Sequence, residues 1–203
     1  MIDSLYDKFK PWASTGSIYI ISDTHFNDSD CKLMDPMWLP AQTATDILKN
    51  KIHKSDTLIH LGDVGDASYI DQLKCYKILI TGNHDIMAKV ASHFDEVYNG
   101  PLFITDRILL SHEPIYGVEN FCINIHGHDH GGIHNKFDQE LNHCTHINMA
   151  SNICNYMPMN LGKAIKTGLL SKVPNYHRLT INKATENPLH FLKKEEENNE
   201  GSK

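Results

Sequence analysis

The stretch SIYIISDTHF, Ser17 to Phe26, sets an apolar, β-branched run directly against a polar Asp-Thr-His end. The run SIYIIS (17–22) reads as a buried strand. Its polar end falls where open α/β sheets gather their chemistry, beyond the carboxyl ends of the strands. The same grammar recurs twice. DTLIHLGD (56–63) is a second short strand ending in Gly62-Asp63, and YKILITGNHD (76–85) is a third, running into Gly82-Asn83-His84-Asp85. Between the first two, AQTATDILKNKIH (41–53) places Ala44, Ile47, Leu48 and Ile52 on one helical stripe, and Pro40 suits a helix start. After the third, IMAKVASHF (86–94) carries a helical stripe of Ile86, Val90 and Phe94.

Working outward, the second half changes character. PLFIT, RILLSH, FCINIH and HINMAS (146–151) are short β-rich segments with little room for helices between them. NLGKAIKTGLL (160–170) returns to helical spacing through Leu161, Ile165 and Leu169, with Asn160 as N-cap. Residues 1–16 read as an arm into the first strand, and 27–40 as a loop. The order β-α-β-α-β followed by mostly β predicts two packed sheets with helices outside. A single domain over 1–192 is expected, followed by a charged tail, 193–203, with nothing apolar to anchor it.

Composition narrows the function classes. The chain has 203 residues, enough to bury a substantial core, and a net charge of −6. That charge speaks against a general grip on the nucleic-acid backbone, which needs a basic face. The five cysteines, Cys31, Cys75, Cys122, Cys144 and Cys154, show no C-x-x-C spacing and read as reduced thiols. No apolar run reaches membrane-spanning length, and the N-terminus lacks a signal-peptide core. The expectation is a cytoplasmic protein. Histidine is the outlier, with 14 residues, three of them in HGHDHGG (126–132).

Five short blocks carry the chemistry. Asp23 and His25 are two residues apart after a strand, a spacing at which side chains share a face. Asp63 offers two carboxylate oxygens, enough to bridge two cations. Asn83 offers an amide oxygen, and His84 beside it points elsewhere, free for proton transfer. His112 follows the apolar run RILL. His128 and His130 are again two apart. Taken singly, each has an ordinary structural explanation: a Gly-Asn or Gly-Asp turn, a hydrogen-bonded histidine after a strand. Taken together, carboxylates, an amide and imidazoles are the ligand set for borderline divalent ions.

The ordered set D-x-H, GD, GNH(D), H and GH-x-H over residues 17–130 resembles the calcineurin-like metallophosphoesterase superfamily. DTHF and HINMASNICNYMPMNL further resemble its small bacterial and phage branch. The resemblance implies an α/β (α+β) fold: a four-layer αββα sandwich, two mixed β-sheets flanked by helices. It implies two divalent metal ions, manganese foremost, with Fe, Ni, Co or Zn compatible. One would take Asp23, His25, His130 and the shared carboxylate of Asp63; the other Asp63, Asn83, His112 and His128. His126 would be structural, and Asp129 would face solvent or substrate.

The implied activity is hydrolysis of phosphoester bonds, foremost phosphodiesters, with a metal-bridging hydroxide as nucleophile and His84 as general acid. Asp66, three residues after Asp63, or Asp85 would orient His84, although either could equally cap a helix. Where the protein Ser/Thr phosphatases carry an arginine after this position, Ala67 and Ser68 stand here, which argues against that branch. The substrate would be a small phosphoester or nucleotide-like molecule, with no membrane partner, and the oligomeric state is not legible. Rival readings are a phosphomonoesterase or nucleotide pyrophosphohydrolase with the same centre, a non-catalytic scaffold on this fold, and a structural zinc module. The loop 26–40, the segment 113–122 and the region 131–145 should rim the site, with Tyr116, Asn120 and His134 as possible contacts.

Overall fold

The structure, a computed structural model, describes residues 3–4, 16–131 and 145–174. Chain contacts divide the protein into Met1–Val173 and Pro174–Lys203. The expected tail at 193–203 lies outside the described residues, as does His134.

The fold is α/β, with two mixed five-stranded sheets. In chain order the strands are β1 (Asp3–Ser4), β2 (Ile18–Ile21), β3 (Thr57–His60), β4 (Tyr76–Ile80), β5 (Glu96–Tyr98), β6 (Leu102–Thr105), β7 (Ile108–Leu110), β8 (Ile123–His126), β9 (His146–Asn148) and β10 (Met159–Asn160). One sheet runs β10-β2-β3-β4-β5, parallel except for β10. The other runs β1-β6-β7-β8-β9, with β6 and β7 antiparallel and the remaining pairs parallel. Among the described residues the α-helices are α1 (Cys31–Met34), α2 (Ala41–Lys51), α3 (Met87–Val90) and α4 (Leu161–Lys166).

Alternation along the strands builds two apolar layers. Ile18, Ile20, Ile59, Ile78 and Ile80 pack with Leu102, Ile104, Ile108, Leu110, Ile123 and Ile125 between the sheets. The intervening Ile21, Leu58 and Leu79 join Ala44 and Leu48 of α2, Val90 of α3 and Phe94 on the other side of the first sheet. Both faces of β2–β4 are therefore buried, and this is why they read as unbroken apolar runs. Each such side chain contributes about 1.5–3 kcal/mol on full burial. A frame of that strength can hold strained loops at its strand ends.

Several expectations shift in detail. The stripe 86–94 forms α only over Met87–Val90 and continues as a 3₁₀ turn, Ala91–His93. Val90 and Phe94 reach the core, but Ile86 is 55% exposed, because so short a helix presents only its C-terminal end to the sheet. The loop 27–40 contains α1, anchored by buried Cys31. The N-terminal arm adds β1 to the edge of the second sheet, a two-residue pairing without an apolar signature. Asn160 does cap α4, its side chain accepting from the Lys163 N–H. Cys31, Cys75, Cys122 and Cys154 are free thiols. Burial pushes Cys31 up to about 12 and the others to about 11, so they are inert. Among the described residues no helix is long and apolar enough to cross a membrane.

Candidate metal centre

The strands deliver the expected residues to one place. Asp23 and His25 follow β2, Asp63 follows β3, Asn83 and His84 follow β4, His112 follows β7, and His128 and His130 follow β8. Backbone bonds knit these loops together. Asp23 N–H donates to Gly62 O at 2.9 Å, His25 N–H to Asp63 O at 3.1 Å, and Gly127 N–H to His112 O at 2.8 Å. The backbone is strained here. Asp23, His25, Asp63 and His128 all have positive φ, at 53°, 39°, 55° and 67°. Such conformations cost about 1 kcal/mol or more each and concentrate at functional sites. Gly82 is required for contact reasons, since a Cβ there would fall on the Asp63 carboxylate.

The side chains form two groups, each able to hold a cation. In the first, Asp23, His25 and His130 offer ligand atoms within 4.8 Å of one another; in the second, Asp63, His112 and His128 do the same. His130 Nε2 lies 3.1 Å from Asp23 Oδ1. Asn83 Oδ1 joins the second group, 2.9 Å from His112 Nε2 and 3.1 Å from His128 Nδ1. Asp63 links the groups: its Oδ2 is 3.6 Å from His25 Nε2 and 3.3 Å from His112 Nε2. His25 Nε2 is buried with no hydrogen-bond partner, a costly state for a ring nitrogen unless something else occupies its lone pair. That orphan, aimed between carboxylates, fits a cation.

The electrostatics agree. Burial alone would raise the Asp63 carboxyl, yet the hydrogen bond and charge of His112, with the His84 N–H, hold it down to about 2. Asp23, also buried, is held below the ordinary range by His130, His112 and Ser22 and by the His128 N–H. Burial lowers His25, keeping it the neutral imidazole a metal needs. His112 is raised, because Asp63 and Asp23 outweigh its burial. A divalent ion held there would compete with a proton for His112 Nε2.

An outer layer holds the imidazoles. His112 Nδ1 donates to the Leu61 carbonyl at 2.9 Å, leaving Nε2 as the lone-pair nitrogen. His25 Nδ1 pairs with Asp28 Oδ2 at 3.1 Å, and His130 Nδ1 meets Met34 Sδ at 3.2 Å. Trp38 packs against both rings, 5.7 Å from His25 and 5.2 Å from His130. The segment 28–38 thus braces only the first group. Losing such a brace typically costs 10–100-fold in metal affinity. With Mn²⁺ in both groups, Asp28→Ala would weaken one binding event by about that factor and spare the other, as read by calorimetric titration. Equal weakening of both would refute a brace specific to one position.

His60 is a residue that sequence reasoning missed. It is fully buried, and it ties two ligand loops together. Gly62 N–H donates to its Nδ1 at 3.2 Å, so the neutral ring carries its proton on Nε2. Nε2–H donates to Thr24 Oγ1 at 3.0 Å, and that hydroxyl donates to the Val64 carbonyl at 3.0 Å. Burial pulls the His60 pKa from 6.5 to about 4, against the pull of Asp85, Asp23 and Asp63. Between these values the unfolded chain binds a proton that the folded chain refuses. Stability therefore falls as pH drops from 6.5 towards 4, by up to about 3 kcal/mol from this group. Urea midpoints in EDTA should show a shallower pH dependence for His60→Gln than for wild type over that window. Identical slopes would refute the assignment.

His84 is exposed, its ring 5.7 Å from that of His25, and its backbone N–H donates to Asp63 Oδ1 at 2.9 Å. Neither proposed partner touches its ring. Asp85 is consumed by three backbone amides: Oδ2 accepts from Asp63 N and Gly82 N, and Oδ1 from Val64 N, each at 2.9 Å. It fixes the Asp63 turn instead of orienting His84. Asp66 caps the following 3₁₀ turn (Ala67–Gln72), accepting from Ser68 N and Oγ, and also from Asn27 Nδ2. Asp66 took the capping role that its sequence context also allowed, whereas Asp85 caps no helix and binds the Asp63 and Gly82 turns.

Other expectations resolve simply. His126 is buried, and its Nδ1 donates to the Gly127 carbonyl at 2.8 Å. Asp129 is half-buried and accepts from Gly131 N–H at 3.0 Å. Tyr116 packs on His146, 5.6 Å between rings, not among the candidate ligands. Asn152, unremarked in the sequence, donates to the His130 carbonyl at 2.9 Å.

No protein-family model matches the sequence, and no curated protein matches it. Among solved structures, the crystal structure of the protein of unknown function AQ665 from Aquifex aeolicus is similar, with a TM-score of 0.61 and 28% identity. The match covers 74% of this chain and 98% of that one, so the likeness takes in nearly the whole of the smaller protein.

Proposed function

We propose that the protein is a metal-dependent phosphodiesterase with two divalent cations and His84 as general acid. The observation that carries this is the pair of His/Asp groups joined through Asp63, with an exposed, non-ligating imidazole alongside. Cations bound there would neutralise charge on phosphoryl oxygens and supply an activated water. The chain's own residues do the rest. Asp23, His25 and His130 would hold one ion, and Asn83, His112 and His128 the other, with Asp63 shared. The His84 ring makes no hydrogen bond with the described residues, so its proton is available to an incoming oxygen. Asp85 and Gly82 keep His84 and Asp63 in fixed relation through the turn between them. The resemblance of the ordered motifs to calcineurin-like metallophosphoesterases supports the same reading.

The test compares bis(4-nitrophenyl) phosphate with 4-nitrophenyl phosphate, in Mn²⁺ and in EDTA. Release of nitrophenolate from the diester, abolished by EDTA, is expected. Hydrolysis of the monoester alone would replace this reading with a phosphomonoesterase, and no turnover with any divalent metal would leave a binding module.

A further inference from the structure

Two clefts of different character open on either side of the Gly82–Asp85 turn. One, of about 580 Å³, is reached by His84 and His25 and lined by Asn27, Asp28, Asp66, Ser68 and Lys89. The other, of about 320 Å³, is reached by Asn83 and His112 and lined by Pro101, Pro114 and Ile115, with the exposed carboxylate of Glu113. Adjacent residues on one turn therefore address different clefts, and a phosphorus atom between them would have room for a substituent on each side. A monoester would leave one cleft without use.

The lining decides what each cleft takes. On the His84 side, Asp28 and Asp66 would repel a second anionic group. Their unused lone pairs accept hydrogen bonds, because Asp28 receives only Asp30 N–H and the His25 ring. Lys89 makes no ion pair among the described residues, and its ammonium has donors to give. A surface offering acceptors and donors together suits hydroxyl groups, which do both. Across the turn, prolines and isoleucine suit an uncharged, less polar group, and Glu113 again disfavours an anion.

We infer that the substrate is an asymmetric phosphodiester whose hydroxylated arm leaves on the His84 side and whose apolar arm stays on phosphorus beside His112. This rests on the phosphodiesterase reading above. In the step, a water oxygen bonds to phosphorus. The bond from phosphorus to the hydroxylated arm breaks, its electron pair going to that arm's oxygen, which takes the proton of His84. The water's surplus proton passes to solvent.

Benzyl glyceryl phosphate tests this, since its two alcohols are of similar acidity and the enzyme, not the chemistry, selects the leaving arm. With Mn²⁺, glycerol and benzyl phosphate should exceed benzyl alcohol and glycerol phosphate by about tenfold, measured by ³¹P NMR. Asp66→Ala and Lys89→Ala should each lower that ratio by about threefold. An even mixture, or benzyl alcohol as the main leaving group, overturns the inference. So does a lack of hydrolysis while bis(4-nitrophenyl) phosphate is turned over. If neither diester is hydrolysed, the phosphodiesterase reading falls with it.

Discussion

Asp63→Asn is expected to bind fewer than two Mn²⁺ ions per chain and to lose a factor of about 10³ or more in kcat/KM. The amide keeps the shape but loses the charge. Asp63 Oδ2 faces imidazole nitrogens of both groups, at 3.6 and 3.3 Å, and Oδ1 accepts the His84 N–H. An asparagine can satisfy one side only. Turned to accept from His84, it points an NH₂ at the cations; turned the other way, it opposes donor to donor on the turn. Either way each ion bound there would lose a shared anionic ligand, and the repulsion between neighbouring cations would go uncompensated. The change also removes a charge-assisted hydrogen bond worth about 1.5–3 kcal/mol to the fold, so circular dichroism should confirm that the variant is folded at assay temperature. The contrast with Asp28→Ala is diagnostic. That change acts behind one of the two groups, whereas this one acts between them. Two tightly bound ions and near-normal turnover in Asp63→Asn would end the reading of Asp63 as the shared ligand.

The candidate ligands were legible in the sequence and their supports were not, and the difference is physical. Asp23, Asp63, Asn83 and His112 stand at the ends of apolar runs, so the pattern of the strands announces them before any contact is known. His60 sits inside such a run, in LIHLGD, where a lone histidine reads as a satisfied core residue. Its linkage to Thr24 and Gly62 spans 36 residues in one direction and two in the other, and only the folded backbone brings these together. Asp28, Met34 and Trp38 lie in a segment that reads as loop, with no periodicity to say which face meets His25 and His130. Asp66 and Asp85 illustrate the converse. A carboxylate near a histidine in sequence is drawn as its partner, but a nearby backbone N–H is a stronger competitor when the turn is tight. Three amides claimed Asp85.

With no carboxylate holding its ring, His84 is tested most cleanly by truncation. His84→Ala leaves the backbone N–H that donates to Asp63 Oδ1, so metal content should stay at the wild-type value. What it removes is a proton donor on the side of the larger polar cleft. General acid assistance of this kind is worth roughly 10²–10⁴ in rate. The full factor should appear in kcat for alkyl diesters such as benzyl glyceryl phosphate, whose alkoxide leaves only with a proton. It should nearly vanish for bis(4-nitrophenyl) phosphate, because nitrophenolate departs unprotonated. A structural role would slow both substrates alike, and a ligand role would lower the metal content. Unchanged kcat on the alkyl diester would show that the leaving oxygen draws its proton from elsewhere, and would make His84 a bystander at the edge of the site.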